Sequence, residues 1–140
     1  MNYGISEPAI PLRYDIRVSR PISHPEAAAV TLAGVLFALA DPVRLAIVRE
    51  LQKSAAGLNC TQATGRIGLA MPKSTCSQHY RILRESGLIE SERRGTELVS
   101  RVRARLLSER FPGLLDSVFR AYERERTGGR RRPSRASAAG

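Results

Sequence analysis

Tryptophan is absent from the 140-residue chain, and three Phe and four Tyr supply all of its aromatic side chains. The core must therefore be built mainly from Leu, Ile, Val and Ala. No apolar run approaches the roughly 18 residues that a transmembrane helix needs, because the longest stretch, residues 32–40, is too short. The N-terminus has no basic region followed by an apolar core and a cleavage site. We therefore expect a cytoplasmic protein that does not insert into a membrane.

Soft metal ligands and catalytic motifs are equally scarce. The chain holds two cysteines, Cys60 and Cys76, and two histidines, His24 and His79. Two cysteines are too few for a disulfide framework and fit a reducing compartment, and their spacing matches no zinc motif. The sequence also lacks a glycine-rich phosphate loop, a metal dyad and a nucleophile motif. We expect no metal, no cofactor and no enzymatic activity.

Acidic residues are outnumbered, with 13 Asp and Glu against 23 Lys and Arg and a formal net charge of +10. Residues 1–40 are balanced, whereas half of the excess lies in the last fifteen residues. The arginines there are Arg126, Arg130, Arg131, Arg132 and Arg135. A basic chain of this size suggests a polyanionic partner, either nucleic acid or an acidic membrane surface.

The two ends of the chain differ from its middle. Residues 1–25 contain several prolines and no helical period, and they are predicted to form an extended N-terminal arm. Within it, Leu12, Tyr14, Ile16 and Val18 alternate with polar residues, which indicates either a half-buried strand in need of an edge to pair with or a plain extended arm. Residues 127–140 are too polar and glycine-rich for a core and are predicted to be a disordered basic tail.

Residues 26–126 are predicted to form one domain that is mainly α with a small β-hairpin. The predicted helices span residues 26–39, 42–53, 60–66, 72–86 and 111–126, and the predicted strands span residues 88–92 and 97–103. Asp41 and Pro42 supply an N-cap and a first helical residue, and Gly87 is placed to end the fourth helix. Residues 54–59 are expected to form a loop, and residues 93–96 the hairpin turn.

This order of helices, with a fourth helix leading into a charged hairpin, is that of a winged helix-turn-helix. On a wheel of about 100° per residue, Cys76, Tyr80 and Leu83 define the buried face of the fourth helix. Its opposite face carries Ser74, Gln78, Arg81 and Glu85. Hydroxyl, amide and guanidinium groups suit base and phosphate contacts in the major groove, although an ordinary solvated face would also be polar.

Four segments resemble the ArsR/SmtB family of bacterial transcriptional repressors. LADPVRLAIV at residues 39–48 resembles its "ALADPTRLxIL" signature, and KSTCSQHYRILRESGLI at residues 73–89 resembles its "STVSxHLxxLRxAGLV" recognition helix. ERRGT at residues 92–96 matches its wing, and RFPGLLD at residues 110–116 is similar to the final helix of one subgroup. The resemblance covers residues 27–125.

The resemblance implies a homodimeric repressor that binds a near-palindromic operator on double-stranded DNA and is released by a signal. The first and last helices would form the dimer interface. Together with the wheel, it implies DNA contacts at Lys73, Ser74, Thr75, Ser77, Gln78, His79, Arg81, Arg93 and Arg94. His79 lies near the buried side of the helix, so packing is an alternative to DNA contact.

The metal sites of the family are not matched. Its arsenic-type site needs a Cys-x-Cys pair where residues 57–62 hold only Cys60, and its zinc-type site needs a histidine in the last helix, where none follows His79. Cys76 and Cys60 are candidate redox-sensing residues; the alternative is that each is a small buried hydrophobe. A small-molecule or redox effector stays open. A non-specific architectural DNA-binding protein is the alternative function, and a protein-interaction module is a third.

Overall fold

Six helices and one small sheet make up the part of the chain that the computed structural model describes, residues 22–128. After a short 3-10 helix at Ala27–Ala29, the elements follow in this order: α1 (Leu32–Leu39), α2 (Pro42–Gln52), β1 (Leu58–Asn59), α3 (Cys60–Ile67), α4 (Lys73–Glu85), β2 (Ile89–Arg94), β3 (Glu97–Val102), α5 (Ala104–Arg110) and α6 (Leu114–Gly128). The mainly α fold with a β-hairpin is as predicted. The predicted strand around Ile16 and the arginine-rich end from Arg130 onward lie outside the described residues.

The first helix is shorter than the sequence predicts, and the single helix over residues 26–39 is wrong. Val30 and Thr31 have extended backbone conformations that separate the 3-10 turn from α1. Thr31 caps α1, because its Oγ1 accepts a hydrogen bond of 3.1 Å from the Gly34 N–H. Val30 is 1% exposed, so the break turns its side chain into the core.

The second helix begins as predicted. Asp41 Oδ1 accepts hydrogen bonds from the N–H groups of Val43 and Arg44 at 2.8 and 3.0 Å, and Pro42 occupies the first helical position. Arg44 is itself buried, and its Nε donates to the carbonyl of Ala38 at 2.7 Å. This bond joins α2 to the carboxyl end of α1.

The fourth helix also matches its prediction within one residue at each end. The Gly87 backbone lies in the left-handed region at φ 84°, which ends the helix and leads directly into β2. The largest fully buried side chains include Ile47 and Leu51 of α2, Leu83 of α4, and Leu88. The core therefore lies between α2, α4 and the start of the hairpin.

The sheet has three antiparallel strands in the order β1-β3-β2. Because Arg94 pairs with Glu97, the turn contains only Gly95 and Thr96, and the predicted four-residue turn over 93–96 is too long. Strand β1 was predicted as part of a loop, but Leu58 pairs with Ser100 of β3. A two-residue strand carries too little pattern to be predicted from sequence.

Two serines face each other beneath the hairpin. Ser91 and Ser100 are directly paired across β2 and β3, and their hydroxyl oxygens lie 2.6 Å apart. Both residues are buried. One hydroxyl therefore donates to the other, in a site where no other described side chain bonds to either.

The C-terminal region differs most from its prediction. Residues 104–110 form α5, a helix that was not predicted from the sequence, and Gly113 at φ 77° separates it from α6. The last helix therefore begins at Leu114, not at residue 111. It also continues through Gly128, although residues 127 and 128 were assigned to the tail, and the Thr127 hydroxyl donates to the Glu123 carbonyl at 3.0 Å inside the final turn.

Arginines and one histidine attach the segment before α1 to the rest of the fold. Arg103 donates to the Pro25 carbonyl and Arg110 to the Val30 carbonyl, each at 2.8 Å. The Ser91 N–H donates to Nε2 of His24 at 2.8 Å. Burial, together with the nearby Arg103 cation, holds the pKa of His24 below its usual value.

Acidification is expected to loosen this attachment. Because the pKa of His24 is lower in the folded than in the unfolded state, its contribution to stability is complete above about pH 6.5 and is lost as the pH falls through the lowered value. Urea unfolding at pH 7.5 and 5.5 should show a larger drop in midpoint for the wild type than for His24→Gln. The other titratable groups, His79 included, are present in both proteins, so the difference between the two drops isolates His24. Equal drops would contradict the expectation.

Candidate nucleic-acid interface

Helices α3 and α4, joined by a turn at residues 68–72, form a helix-turn-helix. The buried residues of α4 are Cys76, Tyr80 and Leu83, as the wheel predicts. The opposite face of the helix is exposed. The fold therefore presents the polar side of α4 to an incoming ligand.

Short polar side chains occupy the exposed first two turns of α4. They are Lys73, Ser74, Thr75, Ser77 and Gln78. None of these side chains forms a hydrogen bond to another residue in the described part of the chain, so their donors and acceptors face solvent. The preceding Pro72 supplies no side-chain cap, which leaves the first N–H groups of the helix available to an anion.

Arg81 and His79 differ from that group. Arg81 is exposed, and its Nε donates to Glu85 Oε1 at 2.9 Å, a surface pair that costs little to break. His79 is half-buried, as the wheel predicts, and its buried Nδ1 has no hydrogen-bond partner in the described structure. The structure thus leaves both interpretations of His79 in place, packing and DNA contact.

The two wing arginines are not equivalent. Both lie in β2, and both are exposed. The side chain of Arg94 is restrained by two hydrogen bonds. Its Nε donates to Glu92 Oε1 at 2.7 Å, and its Nη1 donates to the Ala56 carbonyl at 3.3 Å. Arg93 has no such bond among the described residues, so its guanidinium is the freer of the two.

The two cysteines are joined. Cys60 and Cys76 were predicted to be separate thiols of a reducing compartment; the structure instead links them by a disulfide between the first residue of α3 and the fourth residue of α4. Cys76 is 3% exposed, while Cys60 is half-buried. The pairing arises from the crossing of two helices, which a spacing of sixteen residues does not reveal.

Helix α1 leaves a hydrophobic surface uncovered. Leu32, Leu36 and Phe37 are exposed, and Phe37 reaches 67%. The last helix, by contrast, buries Leu115 and Phe119. Of the two terminal helices, α1 is therefore the one whose large apolar side chains are exposed in the described part of the chain.

Within residues 22–128 no three His, Cys, Asp or Glu side chains lie close enough together to hold a metal ion. In the same part of the chain, no helix has the length and apolar character to cross a membrane.

A helix-turn-helix followed by a β-hairpin defines a winged helix-turn-helix protein, with α4 in the position of the recognition helix. A family model described as a helix-turn-helix domain matches residues 39–92. The HTH-type transcriptional regulator YceK of Bacillus subtilis is 30% identical over 86 residues, which cover 61% of this chain and 84% of that protein.

Two further relatives extend the comparison. The HTH-type transcriptional repressor SmtB of Mycobacterium tuberculosis is 36% identical over 89 residues, which cover 64% of this chain and 61% of that repressor. A crystal structure of an ArsR family transcriptional regulator shares the fold, with a TM-score of 0.51 at 21% identity over 66% of this chain and 96% of that one. The chain belongs to the ArsR/SmtB family of winged helix-turn-helix transcriptional regulators.

Proposed function

We propose that the protein is a repressor that binds a near-palindromic operator as a homodimer and leaves it when an effector acts. The exposed polar row on the first two turns of α4 carries this proposal. Its hydroxyl and amide groups are unpaired, and an amide such as that of Gln78 can bond adenine through two hydrogen bonds. Lys73 and the uncapped helix N-terminus suit the adjacent phosphates.

The homodimer rests on the apolar surface of α1. A monomer would leave Leu32, Leu36 and Phe37 in water, whereas a two-fold contact through this helix would cover them. Such a dimer would present two recognition helices about one turn of DNA apart, which matches the symmetry of a near-palindromic site. Arg93 on each wing would then reach the flanking backbone.

Replacement of the central amide should reveal base recognition. We expect Gln78→Ala to weaken binding to DNA from the protein's own promoter region by about 5-fold to 150-fold, as one good bidentate base contact is worth roughly 1–3 kcal/mol, and to leave binding to random DNA almost unchanged. Fluorescence anisotropy at near-physiological salt would measure both affinities. Gln52→Ala, at the end of α2, is the matched control and should change neither.

Arg93→Ala provides the contrasting behaviour of a phosphate contact. It should weaken binding to both DNAs equally and lower the salt slope of log affinity by about 1. If Gln78→Ala instead reduced both affinities equally, or if the wild type bound both DNAs alike with a steep salt dependence, the architectural alternative would replace the repressor proposal.

A further inference from the structure

The two cysteines of the disulfide differ in exposure: Cys60 is half-buried and Cys76 is buried. A groove of about 380 Å³ runs between α3, α4 and the sheet, and Cys60 is part of its wall. Cys76 is not part of the wall and is 3% exposed, on the buried face of the recognition helix. A molecule in the groove therefore meets only the Cys60 end of the disulfide.

We propose that the Cys60–Cys76 disulfide is a thiol–disulfide exchange site that opens at Cys60 to a small acidic thiol. Exchange requires a thiolate to reach one sulfur and displace the other, so access decides which sulfur is attacked. Cys76 is the leaving sulfur. It lies near the start of α4, where its backbone N–H donates to the Pro72 carbonyl, and its burial keeps an incoming thiol away from its sulfur.

The exchange balances with the thiol as its own reductant. A thiolate RS⁻ attacks the Sγ of Cys60, forms an RS–S bond and expels Cys76 as a thiolate. A second RS⁻ attacks the RS sulfur, releases RSSR and leaves Cys60 as a thiolate, and solvent protonates both cysteines. Two RSH are oxidised to RSSR while two electrons reduce the protein disulfide; RSSR drives the reverse reaction.

The groove favours a negatively charged thiol. Lys73 and Arg84 belong to its wall, and among residues 22–128 Glu97 is the only acidic residue there. Arg84 is half-buried and forms no ion pair within residues 22–128, while Glu97 already accepts a hydrogen bond of 3.1 Å from Asn59 Nδ2. An unpaired, partly desolvated guanidinium attracts a carboxylate more strongly than one in open solvent.

Tyr80 adds a neutral polar group to the same wall. Its buried hydroxyl has no hydrogen-bond partner among the described residues. Burial raises the pKa of Tyr80 to about 12, so the hydroxyl keeps its proton and adds no negative charge to the wall. The carboxylate of a small acidic thiol would therefore meet Arg84 and Lys73 beside a neutral phenol.

The groove also borders the exposed polar row on the first two turns of α4, since Lys73 and Ser77 belong to both. A mixed disulfide on Cys60 would place bulk and negative charge beside these side chains. Phosphates would then be repelled where Lys73 attracts them. This regulatory consequence rests on the proposed function, whereas the exchange chemistry does not.

Exchange rates with thiols of opposite charge test the site. The oxidised full-length protein is mixed with 3-mercaptopropionate or cysteamine, quenched with acid, and mapped by mass spectrometry of its peptides. Rates are corrected for the thiolate fraction of each thiol. We expect the first adduct on Cys60, and a preference for the anionic thiol that falls about fivefold in Arg84→Gln. Arg105→Gln, on α5 away from the groove, should keep the wild-type preference.

Single-cysteine variants separate the chemistry from the regulation. Treated with the disulfide of mercaptopropionate, Cys76→Ser should hold a stable adduct on Cys60, whereas Cys60→Ser should remain unmodified at its buried Cys76. Adduct on Cys76, or the same charge preference in Arg84→Gln as in wild type, would overturn the exchange site.

The adduct on Cys76→Ser should also weaken promoter binding about tenfold relative to its free thiol. An unchanged affinity for promoter DNA would overturn the regulatory part of the proposal. If no form of the protein bound promoter DNA specifically, the proposed function would be overturned, while the mapped exchange at Cys60 would still stand.

Discussion

Gly87→Ala is expected to lower the free energy of unfolding by about 2–5 kcal/mol. Gly87 has φ 84°, a left-handed conformation that costs an L-residue roughly 1–2 kcal/mol. A methyl group there would also overlap Cγ2 of Val30 and lie 3.0 Å from its Cγ1. Val30 cannot easily retreat, because it is 1% exposed and its carbonyl is bonded to Arg110. Overpacking of such a site adds roughly 1–3 kcal/mol.

Gly95→Ala separates the two causes of that loss. Gly95 has φ 63° in the hairpin turn, but nothing lies within 4 Å of an added Cβ. It should therefore lose only the conformational part, about 1–2 kcal/mol. Urea unfolding followed by circular dichroism would measure both variants. Equal losses would show that Val30 yields to the methyl group and that the packing argument is wrong.

Phe37→Asp should convert the proposed homodimer into a monomer. A buried aromatic side chain contributes about 1.5–3 kcal/mol to an interface, and two-fold symmetry removes two of them at once. Each copy would also bring a carboxylate into an apolar contact. The dimer dissociation constant should thus rise by at least about a hundredfold. Sedimentation velocity at micromolar concentration would show the monomer mass.

Leu69→Asp is the matched control for an added carboxylate. Like Phe37, Leu69 is an exposed apolar residue, with 38% of its surface accessible, but it lies in the turn before α4 and not on α1. This variant should keep the dimer mass, and Phe37→Asp should keep the wild-type circular dichroism spectrum because Phe37 contributes little to the core of one chain. A monomeric wild type, or a dimeric Phe37→Asp, would contradict an interface at α1.

The elements predicted best from the sequence are those with local determinants. Asp41 and Pro42 start α2, Gly87 ends α4, and the wheel separates the faces of α4, since capping and periodicity act within a few residues. The break at Val30 was missed because the three preceding alanines favour a helix. Burial of Val30 and its long-range bond to Arg110 override that preference.

The candidate site shows the same division. Exposure of Ser74 and Gln78 follows from helical spacing, and the structure agrees. The disulfide depends instead on how α3 crosses α4, and the difference between Arg93 and Arg94 depends on the Ala56 carbonyl in a distant loop. Neither relation is encoded in a short stretch of residues.

The buried pair of Ser91 and Ser100 has a consequence for accuracy in the wing. If β2 slipped by one residue against β3, the two hydroxyls would separate and the neighbouring glutamates of β2 would turn toward the core. Burial of these carboxylates would cost free energy, so the slipped hairpin is disfavoured. The serine pair thus fixes the register of the hairpin. Arg93 therefore has the same position relative to the recognition helix in every folded molecule.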